Sequence, residues 1–368
     1  MKKIAIIMPH VTGKGGQENV VKMVMEELQK REYQFEPILY ILGGTEDHSW
    51  LNNVRYTETS YSNNRLIRNV QNVWTIHFHL YNFLKKEKPD TVIVTHSYLS
   101  YLVNRIRKMT NMDYSIVSWI HFSLNAKSVK KKLLLYADYH LAISSGIEKQ
   151  FLLLGVEKEK VRTIYNPVER SDEMIERPTG QTVFLYVGRI EFEELKRFKD
   201  LLTGLANIQG NWRLDVIGDG IGADKCKAYA EQLHIANRIV WHGWIKEPWS
   251  YIKEATALVL TSASEGFGMV LAEGIARGVY CISSDCETGP SDIIRTGENG
   301  ILYPPLDTDN LAIILQEVVN GKSLPEQSDM KYTLNKMYAD RYYENFVQAI
   351  IHFDVQKQEE RNRLAANY

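Results

Sequence analysis

Short apolar runs alternate with longer amphipathic stretches from the first residues of the chain. Residues 4–8 form one continuous apolar run closed by Pro9, as expected of a strand buried on both faces. Residues 17–30 follow with Val20, Val21, Val24 and Leu28 at helical spacing, so the opening reads strand, glycine loop, helix. Further strand-like runs at 36–42, 91–94, 115–120, 139–143 and 161–164 are separated by segments long enough for helices, the order of a parallel α/β sheet. Asn166-Pro167 stops the last run, and 169–180 is polar, charged and without apolar periodicity, which predicts a linker.

The pattern then restarts. Strands are predicted at 182–187, 213–217, 239–241, 257–260, 280–283 and 300–303, and helices at 199–208, 269–277 and 310–319. A chain of 368 residues exceeds the ~250 at which single cores stop growing, so two Rossmann-like halves are expected. The N-terminal domain covers 1–168, the linker 169–180 and the C-terminal domain 181–331. Sites in such sheets lie at the carboxyl ends of strands. Two units facing each other would line a cleft with the loops after Met8, Ile120, Val187, Ile217 and Leu260.

Apolar residues make up 44% and charged residues 24%, the balance of a soluble globular protein rather than a disordered one. No apolar run approaches the ~20 residues of a membrane span, and the five residues before Pro9 are too short for a signal-peptide core, so the cytoplasm is expected. Cys226, Cys281 and Cys286 lack paired spacing and read as reduced thiols. The net charge of -1 hides an asymmetry: residues 1–168 carry 23 Lys and Arg against 15 Asp and Glu, the remainder 21 against 30. A basic half suits an anionic surface, although solvated faces of uneven charge give the same count. No nucleic-acid motif accompanies the basic residues, so nucleic acid is not an expected partner.

Three places could carry chemistry. The loop Gly13-Lys14-Gly15-Gly16 lies between first strand and first helix, where backbone amides can approach a phosphate, or it is simply a tight turn. It is no dinucleotide fingerprint, since Glu18 stands where the third glycine belongs, and it lacks the ending of a P-loop. The segment Ser264-Glu265-Gly266-Phe267-Gly268-Met269-Val270-Leu271-Ala272-Glu273-Gly274 follows an apolar strand and opens a helix whose first amides are free for an anion. Glu265 precedes that helix and Glu273 sits inside it, so the carboxylates reach different parts of one ligand and can accept from sugar or ribose hydroxyls. Singly, each is equally an ordinary helix-start or solvated acid. Gly188-Arg189 and Lys196 add cations after the first strand of the second half, where fixed charge stabilises a departing diphosphate. Asp307-Thr308-Asp309 reads as a helix cap rather than a metal site, and His77 and His79 fall on separate helix faces.

With these residues the chain resembles glycosyltransferase family 4, retaining enzymes of the GT-B fold, and within it the lipopolysaccharide-core and capsule galactosyltransferases. The matching pieces run through nearly the whole chain: Gly15-Gly16, Ile120-His121, Ile164-Tyr165-Asn166-Pro167-Val168, Val187-Gly188-Arg189 with Lys196, Gly218-Asp219-Gly220, His242-Gly243-Trp244, Glu265 and Glu273 eight apart, and Asn299-Gly300. The resemblance implies that Arg189 and Lys196 hold the donor diphosphate, that Glu265 meets the transferred sugar and Glu273 the ribose, and that Gly268, Met269 and Val270 offer amides. Gly243, Trp244 and Ile245 would border the base, and Gly15 and Gly16 would close over the diphosphate. Gly188, Gly218, Gly266 and Phe267 complete the donor-binding set, and His121 lies near the reacting centre. Arg197 follows Lys196 where relatives often have glycine, so Arg197 or Lys199 are alternatives to Lys196. A helix over about 332–368 would return to the N-terminal domain.

The function so implied is metal-free, retaining transfer of a hexose from a UDP-sugar, galactose or glucose, to a saccharide or lipid-linked acceptor in cell-surface glycan synthesis. A sugar-nucleotide epimerase of the same fold is a rival, as is a non-catalytic subunit, although a degenerate copy is expected to lose Arg189 or Glu265. Lys127, Lys130, Lys131 and Lys132 beside Leu133, Leu134 and Leu135 suggest peripheral docking on an anionic membrane; the same leucines also read as core.

Overall fold

The computed structural model describes residues 1–13, 15–30, 33–60 and 65–366. The chain divides into two compact units, one formed by 1–167 with 340–368 and the other by 168–339.

The first unit holds seven strands: β1 (Lys2–Val11), β2 (Phe35–Thr45), β3 (Tyr56–Ser60), β4 (Thr91–Val94), β5 (Ser115–Ile120), β6 (Tyr139–Ala142) and β7 (Val161–Thr163). Their order is β3-β2-β1-β4-β5-β6-β7 with every neighbour parallel. The continuous apolar runs are the central strands, buried on both faces by helices such as Gly16–Leu28 and Ser97–Thr110. Pro9 does not end β1 as expected; the strand continues to Val11. Ile7 accepts from the Thr95 N–H on the β4 side, so Pro9, two residues on, faces the same side after β4 has ended, where a missing N–H costs nothing.

The second unit holds β8 (Thr182–Val187), β9 (Trp212–Ile217), β10 (Ile239–Gly243), β11 (Ala257–Leu260), β12 (Tyr280–Ser284) and β13 (Gly300–Tyr303), all parallel, in the order β10-β9-β8-β11-β12-β13. The chain runs outward from β8 to β10 and then returns to lay β11 on the other side of β8. Each sheet therefore has a switch point, between β1 and β4 in one unit and between β8 and β11 in the other, the place where ligands bind in open α/β sheets.

Two segments differ from the sequence expectation. The stretch 169–180, expected from its polarity to be a linker, is tied into the second unit: Ile175 is buried and donates to the Arg277 carbonyl, and Glu176 exchanges backbone bonds with Lys253 and Ala255. The last long helix is Ala339–Ala366 rather than a helix from about 332. Residues 337–339 are held by Val168, whose N–H donates to the Met337 carbonyl and whose carbonyl accepts from Ala339, so the helix starts only after that tether. Phe346 packs edge-on to Trp119 and Phe353 stacks on Tyr139 at 4.6 Å, which seats this helix on the first unit.

Candidate functional site

The richest concentration of placed chemistry lies at the switch point of the second sheet. Gly188, just past β8, has φ +150° and donates to the Ile217 carbonyl; Gly218, just past β9, has φ +146° and donates to Gly243. A Cβ on Gly218 would sit far inside 3.0 Å of the Gly188 carbonyl oxygen, and one on Gly220 would strike the Ile190 carbonyl. The Gly218-Asp219-Gly220 motif thus lets the loop after β9 lie backbone-to-backbone on the loop after β8, which fixes the path of the residues that follow Gly188.

Those residues carry the cations. The buried Tyr186 hydroxyl donates to the Arg189 carbonyl at 2.7 Å and pins the backbone, while the Arg189 side chain is 68% exposed and has Glu191 as its ion partner at 3.4 Å. Glu191 accepts from the Lys196 N–H, and the Thr261 hydroxyl, at the end of β11, bonds the Lys196 and Arg197 carbonyls at 3.1 Å. So held, the Lys196 ammonium meets Glu265 at 2.6 Å, with the two side chains 21% and 11% exposed. The alternatives are engaged elsewhere: Arg197, in left-handed conformation at φ +48°, forks onto Asp200, and Lys199 pairs with Glu193 at 2.6 Å.

Glu265 is fixed from behind as well. The Thr288 hydroxyl donates to its carbonyl, and Gly289, which has no room for a Cβ against Phe267, brings the loop after β12 onto the loop after β11. Gly268 turns at φ +96° into the helix Met269–Ile275, whose first N–H groups have no intrahelical acceptor. Glu273, on this helix, accepts from the Trp249 indole N–H at 2.9 Å, and burial holds its carboxyl above the ordinary range against the opposing pull of that bond and of Arg277. Gly243, at φ +72°, and Trp244 are exposed, and Ile245 is half-buried. Sequence reasoning did not single out Tyr186, Glu191, Thr261, Trp249 or Thr288, whose contacts join residues distant in sequence or reach backbone groups.

In the first unit Glu18 braces the glycine loop. Glu18 is buried, its carboxylate accepts from the Gly13 N–H at 3.1 Å, and it occupies the space that a side chain at Gly15 would need. Lys14 of this loop lies outside the described residues. Gly16 opens the helix with nothing within 4 Å of a Cβ position. His121 follows β5, buried beside Trp119 at 4.6 Å, and burial pushes its imidazolium down to about 3, so the ring is neutral at ordinary pH.

The Asp307 carboxylate caps the helix Thr308–Val319 by accepting from Asn310, and among the described residues no group of three or more His, Cys, Asp and Glu could hold a metal. The three cysteines are buried and free. No helix among the described residues is long and apolar enough to cross a membrane.

Residues 14–172 match the family described as Glycosyltransferase Family 4, and residues 168–336 the one described as Glycosyl transferases group 1. The lipopolysaccharide 1,6-galactosyltransferase of Escherichia coli (strain K12) is 38% identical over 357 residues, covering 95% of this chain and 98% of that protein. Among solved structures, the apo form of the lipopolysaccharide outer core galactosyltransferase WaaB superposes with a TM-score of 0.85 at 37% identity over 95% of this chain and 99% of that one. Anabaena HepE, solved in complex with UDP, shares the fold with a TM-score of 0.76 at 15% identity, over 95% and 99% of the two chains.

Proposed function

The chain belongs to the glycosyltransferases of family 4, with two Rossmann-like units of the GT-B kind, and from that membership we propose that it moves a hexose, galactose before glucose, from its UDP derivative to a saccharide of the cell surface with retention at the anomeric carbon. The observation that carries this reading is the Lys196–Glu265 pair with the exposed Arg189 beside it, at the carboxyl edge between β8 and β11. As the bond from sugar to phosphate breaks, negative charge gathers on the departing UDP, and Arg189 and Lys196 stabilise it there without a metal. Glu265, relieved of Lys196 by the diphosphate, accepts from a sugar hydroxyl; Glu273 accepts from the ribose; Met269 and Val270 offer their N–H groups to phosphate. Galactose is favoured by the name of the Escherichia coli relative, and UDP by the complex of HepE.

Thermal unfolding with a panel of nucleotide sugars tests the donor. UDP and UDP-galactose are expected to raise Tm, since a ligand at a hundred times its Kd stabilises by about 2.7 kcal/mol, and EDTA is expected to leave the shift intact. No shift with any UDP-sugar overturns the donor assignment, and loss of the shift on chelation overturns the metal-free mechanism.

The acceptor side includes a docking surface. Leu134 is core, but Leu135 and Tyr136 are exposed next to Lys130 and Lys132, and Tyr136 contacts Tyr101, which neighbours the exposed Tyr98. Each lysine near an anionic leaflet contributes about 1 kcal/mol. This face would hold the first unit on the inner face of the cell membrane, near a lipid-linked acceptor. Sedimentation with liposomes is expected to show binding that needs anionic lipid, weakens with salt and falls when Lys130, Lys131 and Lys132 become glutamate; equal binding to neutral liposomes, or none to either, retires the idea.

A further inference from the structure

The donor site contains a contact that the motifs do not account for. Trp249 lies in the short helix Pro248–Tyr251, and its indole N–H reaches across to the Glu273 carboxylate at 2.9 Å. The ring is wedged against the helix Met269–Ile275 where Gly274 leaves space: a Cβ on Gly274 would lie 3.5 Å from the indole edge. The ring also meets Arg277, whose guanidinium stands 5.2 Å from the ring centre and which also donates to the Glu273 carbonyl. The indole is thereby held in one orientation, with its single donor spent on one oxygen of Glu273.

We propose that Trp249 is a positioning residue for the donor nucleotide: by binding one Glu273 oxygen it fixes the carboxylate and presents the other to the ribose hydroxyls. The inference rests on the reading of Glu273 as the ribose acceptor. A carboxylate on a half-buried helix face could otherwise rotate, and ordering it in advance removes that cost from ligand binding. The bond also favours the charged carboxylate. Burial favours the protonated acid, while Trp249 and then Arg277 oppose it; Arg277 also feels the more distant charge of Glu173. A protonated Glu273 retains less capacity to accept from ribose, so binding weakens as pH falls through its pKa, and losing the indole bond moves that fall to higher pH.

The test is UDP binding to the full chain, by calorimetry across pH 5 to 8, for the wild type, Trp249→Phe and Glu273→Gln. Phenylalanine keeps a ring for Arg277 and removes only the N–H and part of the wedge. The titration of UDP itself is common to all three proteins and drops out of the comparison. Trp249→Phe is expected to weaken UDP about five- to tenfold, to move the acid limb to higher pH, and to leave 2′,3′-dideoxy-UDP, which lacks both hydroxyls, bound as in the wild type. Glu273→Gln is expected to weaken UDP and flatten that limb. If Trp249→Phe weakens both nucleotides alike with an unmoved limb, or changes nothing, Trp249 only packs and the inference falls while Glu273 keeps its role. If Glu273→Gln binds UDP like the wild type, the ribose reading falls and takes the inference with it.

Discussion

Arg189→Ala is expected to lower turnover on the order of 10²–10³-fold, the usual loss when one fixed electrostatic group is withdrawn from developing charge, while leaving Tm where it is. The side chain is 68% exposed and its ion pair with Glu191 is a 3.4 Å contact, so the folded state alone gains little from it. Lys196→Ala is expected to cut turnover as deeply and to destabilise as well. Glu265, 11% exposed, would lose its 2.6 Å partner and keep a largely buried, unpaired charge, at a cost of about 2–3 kcal/mol. Adding Glu265→Gln should then restore much of the stability and none of the turnover, because the two residues are coupled in folding but, on the proposed reading, serve different parts of the donor. Steady-state kinetics beside denaturant unfolding separates the cases; an Arg189→Ala enzyme with wild-type turnover removes that residue from the diphosphate.

Gly218→Ala is expected to cost at least about 3 kcal/mol and, with it, donor binding. Its φ of +146° strains any other residue, and the added methyl would overlap the Gly188 carbonyl, which belongs to backbone and cannot swing aside. Gly16→Ala is the control, with nothing within 4 Å of the new atom. Urea unfolding reads both; a Gly218→Ala protein as stable as the wild type would show that the loops after β8 and β9 are not in backbone contact in solution.

What the sequence made legible follows from burial. Strands inside a sheet are largely buried and so apolar, and β1, β2 and β4 to β13 each left an apolar run to find, including the edge strands β7, β10 and β13. β3 did not: it is an edge strand whose Tyr56 and Thr57 are exposed, and a polar edge leaves no apolar run to find. The stretch 169–180 misled for a related reason, since it is fastened mainly through backbone groups, which any sequence supplies. In the site, the family motif marked Arg189, Lys196, Glu265 and Glu273. Which of Lys196, Arg197 and Lys199 turns towards Glu265 was left open, because it depends on Arg197 taking a left-handed backbone and finding Asp200. Trp249 stayed hidden because its bond to Glu273 joins two helices 24 residues apart, a separation at which no local periodicity operates.

The division of the chain also bears on how the protein is made. Residues 168–339 form one unbroken unit, whereas the unit that begins at Met1 is finished only by 340–368. On a ribosome adding roughly 5–20 residues each second, the second unit can be complete while Trp119 and Tyr139 still wait for Phe346 and Phe353 to cover them. The unit that precedes residue 168 is therefore closed after the unit that follows it, and a lesion in the helix Ala339–Ala366 uncovers Trp119 and Tyr139 before it reaches Lys196 and Glu265.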